Sequence, residues 1–214
     1  MPIQTQAIHR RRHPLARVAL AGALALATLG SLQGCVLLLG AGAVGSGLVF
    51  TDRRTSGTQL DDQSIELKSG PRVRDVLGDS GHVNVTSYDR VVLITGEVAK
   101  QEDKDAVGKA ISEIQNVNTI DNELEVGFTS SLSSRSNDTL ITGKVKSALI
   151  DAKDIQATAI KIVTERQIVY LMGRVTEREA TRAADVARNV GGVVKVVRVF
   201  EILTEDQLSN LTNH

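Results

Sequence analysis

The chain has no tryptophan, and aromatic residues make up only 2% of its 214 positions. A core must therefore be built from Val, Ile, Leu and Ala, which suits thin layers of small elements and leaves little with which to wall a roomy cofactor pocket. An aromatic platform for nucleic-acid bases is missing as well. The single cysteine, Cys35, excludes an internal disulfide framework and any cysteine-rich metal cluster. Of four histidines only His82 and His214 lie beyond residue 34. So far apart, they form no metal-ligand spacing and no catalytic cluster, and the sequence alone predicts neither a metal site nor an enzyme. Asp61-Asp62 and Asp103-Lys104-Asp105 read as acidic starts of helices that complement the dipole. The stretch GKVKSAL lacks the glycine spacing of a phosphate-binding loop, so no nucleotide or other small-molecule substrate is indicated.

What is present begins with charge. The formal net charge is zero, yet residues 1–34 contain Arg10, Arg11, Arg12 and Arg17 and no acid. This basic cluster precedes VALAGALALATLG, an apolar run with the length and position of a secretory signal. Residues 32–35, LQGC, then resemble a bacterial lipobox, with Leu and Gly in their usual places and a less typical Gln between them. That resemblance implies a signal peptide over 1–34 and a mature chain starting at Cys35, which carries a diacylglycerol on sulfur and a further acyl chain on its amine. Several acyl chains hold a protein firmly to a bilayer where one holds it marginally. Val36, which is not Asp, implies sorting to the periplasmic face of the outer membrane. A rival reading stays open: no charge occurs from residue 18 to 50, and about 20 apolar residues suffice to cross a bilayer. Against it, GAGAVGSG at 40–47 holds four glycines, each costing a helix about 1 kcal/mol in water, although membrane helices tolerate glycine better.

The remainder repeats. VTSYDRVVLITGEV at 85–98 aligns with IVTERQIVYLMGRV at 162–175, an offset of 77 residues that places Gly96 on Gly173. Each copy predicts a hairpin followed by a helix and a last strand. In the second, Thr176 to Glu179 has the capping-box pattern, Ala180, Ala183, Ala184 and Ala187 form an inward stripe, and Gly191-Gly192 end the helix. In the first, a helix is expected from 100 to 115 and a strand from 119 to 126. A helix also precedes each hairpin. That of the second copy is expected to be capped by Asn137 or Asp138 and to bury Ile141, Val145, Ala148 and Leu149. That of the first is expected to be short or broken at Gly70-Pro71. Gly96 and Gly173 read as structural positions at a bulge or a close helix approach, and Tyr88 and Tyr170 as hairpin residues. The predicted class is α+β: two tandem αββαβ domains, each a small three-stranded mixed sheet with helices on one face.

These paired units, with LITGEV and LMGRV after the hairpins, resemble BON domains. The lipobox, DRRTSGTQLDD at 52–62, SNDTLITGKVKSALI at 136–150 and VTEREATRAADVA at 175–187 extend the resemblance to dual-BON outer-membrane lipoproteins. The expected division is a lipidated Gly-rich linker over 35–60, a first domain over 61–128, a Ser-rich linker over 129–136, a second domain over 137–204 and a tail over 205–214. The resemblance implies a non-enzymatic protein that supports outer-membrane integrity and envelope processes at division, and that binds anionic phospholipid through the first helix of its second domain. Family members often have Trp where this chain has Leu140; Leu still inserts into the acyl boundary but lacks the amphipathic ring that favours the headgroup zone.

Charge supports the same half independently. Residues 35–131 hold 9 basic and 15 acidic side chains, and residues 132–214 hold 12 and 10. Near an anionic bilayer each Lys or Arg contributes about 1 kcal/mol, so the second half should approach such a surface more readily. The candidate contact set on the helix is Leu140, Gly143, Lys144, Lys146, Ser147 and Ile150. A bland alternative is that Leu140 is covered by the linker and the lysines only keep the surface soluble; another class of function is an adaptor that docks envelope proteins.

Overall fold

The computed structural model describes residues 52–212, so the basic leader, the lipobox with Cys35 and the last two residues lie outside the described part. The first repeat consists of α1 (Ser56–Leu77), β1 (His82–Tyr88), β2 (Val91–Val98), α2 (Gln101–Ser112), β3 (Thr119–Asn122) and β4 (Glu125–Val126). The second consists of α3 (Leu132–Asp151), β5 (Ile160–Glu165), β6 (Ile168–Thr176), α4 (Glu177–Arg188) and β7 (Lys195–Leu203). A further helix, α5 (Glu205–Thr212), occupies what was expected to be a tail. In each repeat the hairpin is antiparallel, and its second strand also pairs in parallel with the last strand. β3 and β4 are pieces of one last strand in one register, Ile94 opposite Asn122 and Glu97 opposite Glu125, interrupted opposite Gly96.

Both hairpins turn through left-handed residues without glycine: Asp89 and Arg90 in the first, Arg166 and Gln167 in the second. Such a conformation costs an L-residue about 1–2 kcal/mol. A buried carboxylate from the preceding helix offsets it. Asp62 accepts from the Asp89 and Arg90 amides at 2.8 Å each and from Ser87 Oγ at 2.6 Å. Asp138 accepts from the Arg166 and Gln167 amides at 2.9 Å each. Neither acid caps its own helix. α1 is capped by Thr55 and α3 by Ser131, so the segments expected as linkers supply helical first turns, and Asp138, expected as a cap, is a buried residue inside the helix.

α1 is also continuous through Pro71, contrary to the expected break. Pro71 lies on the exposed face, where water can satisfy the carbonyl that loses its amide partner. The buried face of α1 is Thr58, Asp62, Ile65 and Ser69. Only Ile65 is apolar, so hydrophobic periodicity had little to detect.

Three apolar clusters hold the unit together. Ile65, Val92, Ile94, Val107 and Ile111 join α1 and α2 to the first sheet. Ile141, Val145, Leu149, Val169, Leu171 and the alanines of α4 join α3 and α4 to the second. The third, Tyr88, Leu93, Tyr170, Met172 and Val199, draws on the opposite face of both sheets and joins the repeats. Tyr88 and Tyr170 are thus interface residues, not merely hairpin residues, and burial pushes the Tyr88 phenol up to about 12. Residues that alternate along β2 and β6 face a helix layer and the other sheet by turns, which explains the unbroken apolar runs VVLI and IVYLM.

The glycines at the repeat offset have one cause. A Cβ on Gly96 would strike the His82 carbonyl, and one on Gly173 the Ala159 carbonyl. The crowding comes from the backbone of the neighbouring chain segment, the start of β1 for Gly96 and the short 3-10 turn Ala157–Ala159 before β5 for Gly173. Gly96 is in addition left-handed, with φ +117°.

Arg53, within the segment expected to be linker, is built into the second repeat. Its guanidinium makes a two-pronged ion pair with Glu179, both bonds 2.8 Å, and donates to the Arg174 carbonyl at 2.7 Å. Glu179 also completes the predicted capping box with Thr176.

Candidate functional site

α3 carries its two faces at helical spacing. Asp138, Ile141, Val145 and Leu149 point inward and are buried. Burying each of the three aliphatic side chains contributes about 1.5–3 kcal/mol, so the rotation of the helix is firmly set. The outward stripe is therefore dictated by the inward one: Leu132, Ser136, Leu140, Gly143, Ser147 and Ile150 recur at intervals of three and four. Leu140 is 64% exposed and Ile150 60%. Lys144 flanks this stripe on one side and Lys146 on the other, both exposed and without an ion pair among the described residues. All six candidate contact residues thus share one solvent-facing side, and the linker does not cover Leu140.

Gly143 is informative. A Cβ placed on it would meet nothing within 4 Å, so no packing demands glycine there, yet glycine inside a helix costs about 1 kcal/mol relative to alanine. Its presence makes a shallow, low spot between Leu140 and Ser147 where a flat or bulky surface can approach the backbone.

Sequence reasoning missed Leu132, because it placed the start of α3 six residues too late, at Asp138 instead of Leu132, and it missed the cleft beside Lys146. That cleft, of about 350 Å³, is lined by Lys146, Thr142, Lys161, Arg54 and Tyr88. Arg54 lies over the Tyr88 ring at 4.2 Å and bonds Asp52 and Asp62. Lys161 is held by Glu66 at 2.8 Å. Lys146 forms no ion pair among the described residues, although Asp52 also lines this cleft, paired to Arg54. Near α3, Phe128 is 97% exposed and Leu132 79%, which lengthens the apolar character of this side toward the helix start.

A sheet flanked by helices on one face, in two copies of αββαβ order, defines the class: the chain belongs to the BON-domain family, whose model matches residues 70–127 and 137–204. It is similar to the outer membrane lipoprotein DolP of Haemophilus influenzae, 39% identical over 175 residues, covering 80% of this chain and 90% of that protein. It is also similar to the 21 kDa hemolysin of Actinobacillus pleuropneumoniae, 33% identical over 151 residues, 70% of this chain and 78% of that one. A shorter match, 41% identical over 61 residues, covers 28% of this chain and 30% of the osmotically-inducible protein Y of Escherichia coli. Among the described residues no helix is long and apolar enough to cross a membrane.

Proposed function

We propose that the chain is an outer-membrane lipoprotein, anchored through acylated Cys35, whose second BON domain binds anionic phospholipid through the outward face of α3 and so supports envelope integrity without catalysis. The observation that carries this is the exposed stripe Leu140, Gly143, Ser147 and Ile150 between two unpaired lysines. An apolar line bordered by cations is what an interfacial helix presents to headgroups and acyl boundary, and glycine removes the side chain that would hold the backbone away. The relative named as an outer membrane lipoprotein supports the compartment. The excess of basic over acidic side chains in the second half supports the orientation.

Residues Val49–His214 form one compact unit with its own cores, so this fragment serves as the soluble probe. Sedimentation with phosphatidylcholine vesicles, with and without phosphatidylglycerol, should show binding only to the anionic set, weakened by salt and by Leu140→Glu. Equal binding to neutral vesicles, or indifference to Leu140→Glu, would contradict the reading. Capture of an envelope protein by a fragment that ignores lipid would favour the adaptor reading instead.

A further inference from the structure

The two repeats meet with one pseudo-symmetric mismatch. At the 77-residue offset, Glu97 corresponds to Arg174 and Asp89 to Arg166. Arg174 reaches Asp89 across the interface at 3.2 Å, whereas the mirrored pair, Glu97 and Arg166, is stretched to 3.9 Å, with Arg166 closer to Glu125 at 3.0 Å. In the gap stand His82 from the start of β1, Glu97 from the end of β2 and Glu165 from the end of β5.

Two of these three side chains, His82 and Glu97, carry a buried polar atom without a hydrogen bond. Glu97 is 0% exposed; its Oε2 accepts from the Ser130 amide at 3.0 Å, but its Oε1 has no hydrogen-bond partner. His82 Nδ1 is also buried and unbonded, 3.5 Å from Glu97 Oε2 and 4.0 Å from Glu165 Oε1. Glu165 Oε2 accepts from Asn84 at 3.0 Å, and the same amide lies 3.4 Å from His82 Nε2. Ligand-type atoms from all three residues fall within 4.8 Å of one another. Two buried carboxylates facing an imidazole nitrogen that no hydrogen bond satisfies favour positive charge at their centre, which a proton or a metal ion supplies.

We propose that His82, Glu97 and Glu165 form a divalent-cation site of the zinc class that staples the two BON domains together. One nitrogen and two carboxylate oxygens suit a borderline ion better than Ca²⁺ or Mg²⁺, which take all-oxygen shells. With ligand bonds of about 2.0–2.2 Å, tetrahedral geometry sets donors roughly 3.4 Å apart, so the His82 and Glu97 atoms already have the right spacing and Glu165 closes by side-chain rotation. A fourth position opens toward the cleft lined by Asn84, Arg135, Asp138 and Thr164, where water can complete the shell. Asn84 touches both His82 and Glu165 and steadies their orientation. Arg166 is the nearest competing cation, but its bond to Glu125 keeps it outside hydrogen-bond reach of Glu97.

The test uses untagged full-length protein in detergent, stripped with chelator and dialysed against zinc chloride. The expected result is one zinc retained per chain, a rise in Tm on adding zinc, and visible absorption bands on replacing zinc with cobalt. His82→Ala and Glu165→Gln should each weaken zinc binding by about tenfold or more and abolish the Tm rise; His82 is only half-buried and Glu165→Gln keeps the size of its side chain, so circular dichroism should remain native. Zinc retention unchanged in both variants overturns the proposal. So does a wild-type protein that retains no zinc while its His82 ring signals titrate identically with and without the metal.

Discussion

Arg53 and Glu179, 126 residues apart, meet through paired 2.8 Å bonds in a site where both side chains are almost fully buried. The pair ties the segment before the first domain to the first turn of the last helix in the second. Burial works against the ionised Glu179, yet the bonds from Arg53 and the Thr176 amide prevail and hold its carboxyl below the usual range.

Removing one partner of a buried pair leaves a lone charge, which costs about 3–5 kcal/mol. Arg53→Ala should therefore lower the unfolding free energy by roughly 3 kcal/mol in denaturant titration. Because Glu179 has a depressed pKa in the folded state, its contribution is present above the ordinary value of 4.5 and fades as pH falls through the folded value. Arg53→Ala should lose that part of the acid dependence.

Asp138 replaces glycine as the device that holds a left-handed turn. Asp138→Ala should cost about 3 kcal/mol, since two bonds to a charged acceptor contribute about 1.5–3 kcal/mol each and part is recovered by water. Adding Gln167→Gly to that variant should restore about 1 kcal/mol by relieving the turn, readable as a Tm increase over Asp138→Ala alone.

At the other end of the interface, burial first, then the bond to Glu201, push Asp89 up to about 6. A carboxyl raised on folding stabilises below its unfolded pKa of 3.8, and that stabilisation is lost as pH rises through about 6. Glu201 is lowered despite its burial, through Asp89 and Arg174, and so acts in the opposite sense only below about 4.5. Asp89→Asn should thus raise Tm at pH 7.5, raise it less at pH 5, and leave it nearly unchanged at pH 3.

Gly143→Ala separates stability from contact. With nothing within 4 Å of the added methyl, the helix should gain up to about 1 kcal/mol. Vesicle binding should nevertheless weaken, because the methyl fills the low spot in the α3 face.

The repeat, the αββαβ order, the capping box at Thr176 and the inward face of α3 were all legible, because each rests on local spacing. The helix starts at Ser56 and Leu132 were not, because Ser- and Thr-rich first turns read as linker. α1 was misjudged at Pro71 for a related reason: its buried face is mostly polar, and a proline on the wet side of a helix is tolerated. The sheet-to-sheet interface left a signal that alternation arguments passed over, since VVLI and IVYLM are apolar at every position, as strands covered on both faces must be. Asp62 and Asp138 work through backbone amides 27 to 29 residues away. His82 and Glu97 face each other across the first hairpin, as its two-residue turn dictates, but Glu165 joins them only from the second domain, and no local spacing brings it there.

The central claim is that α3, and not the first repeat, meets the membrane. With Cys35 the only natural cysteine, fragment 49–214 carrying Leu140→Cys accepts an environment-sensitive dye at one site, and Leu67→Cys, at a position 78% exposed on α1, provides the comparison. Anionic vesicles should shift the emission at 140 to the blue, reversibly with salt, and leave that at 67 unchanged. No shift at 140, or the same shift at both positions, would contradict the account.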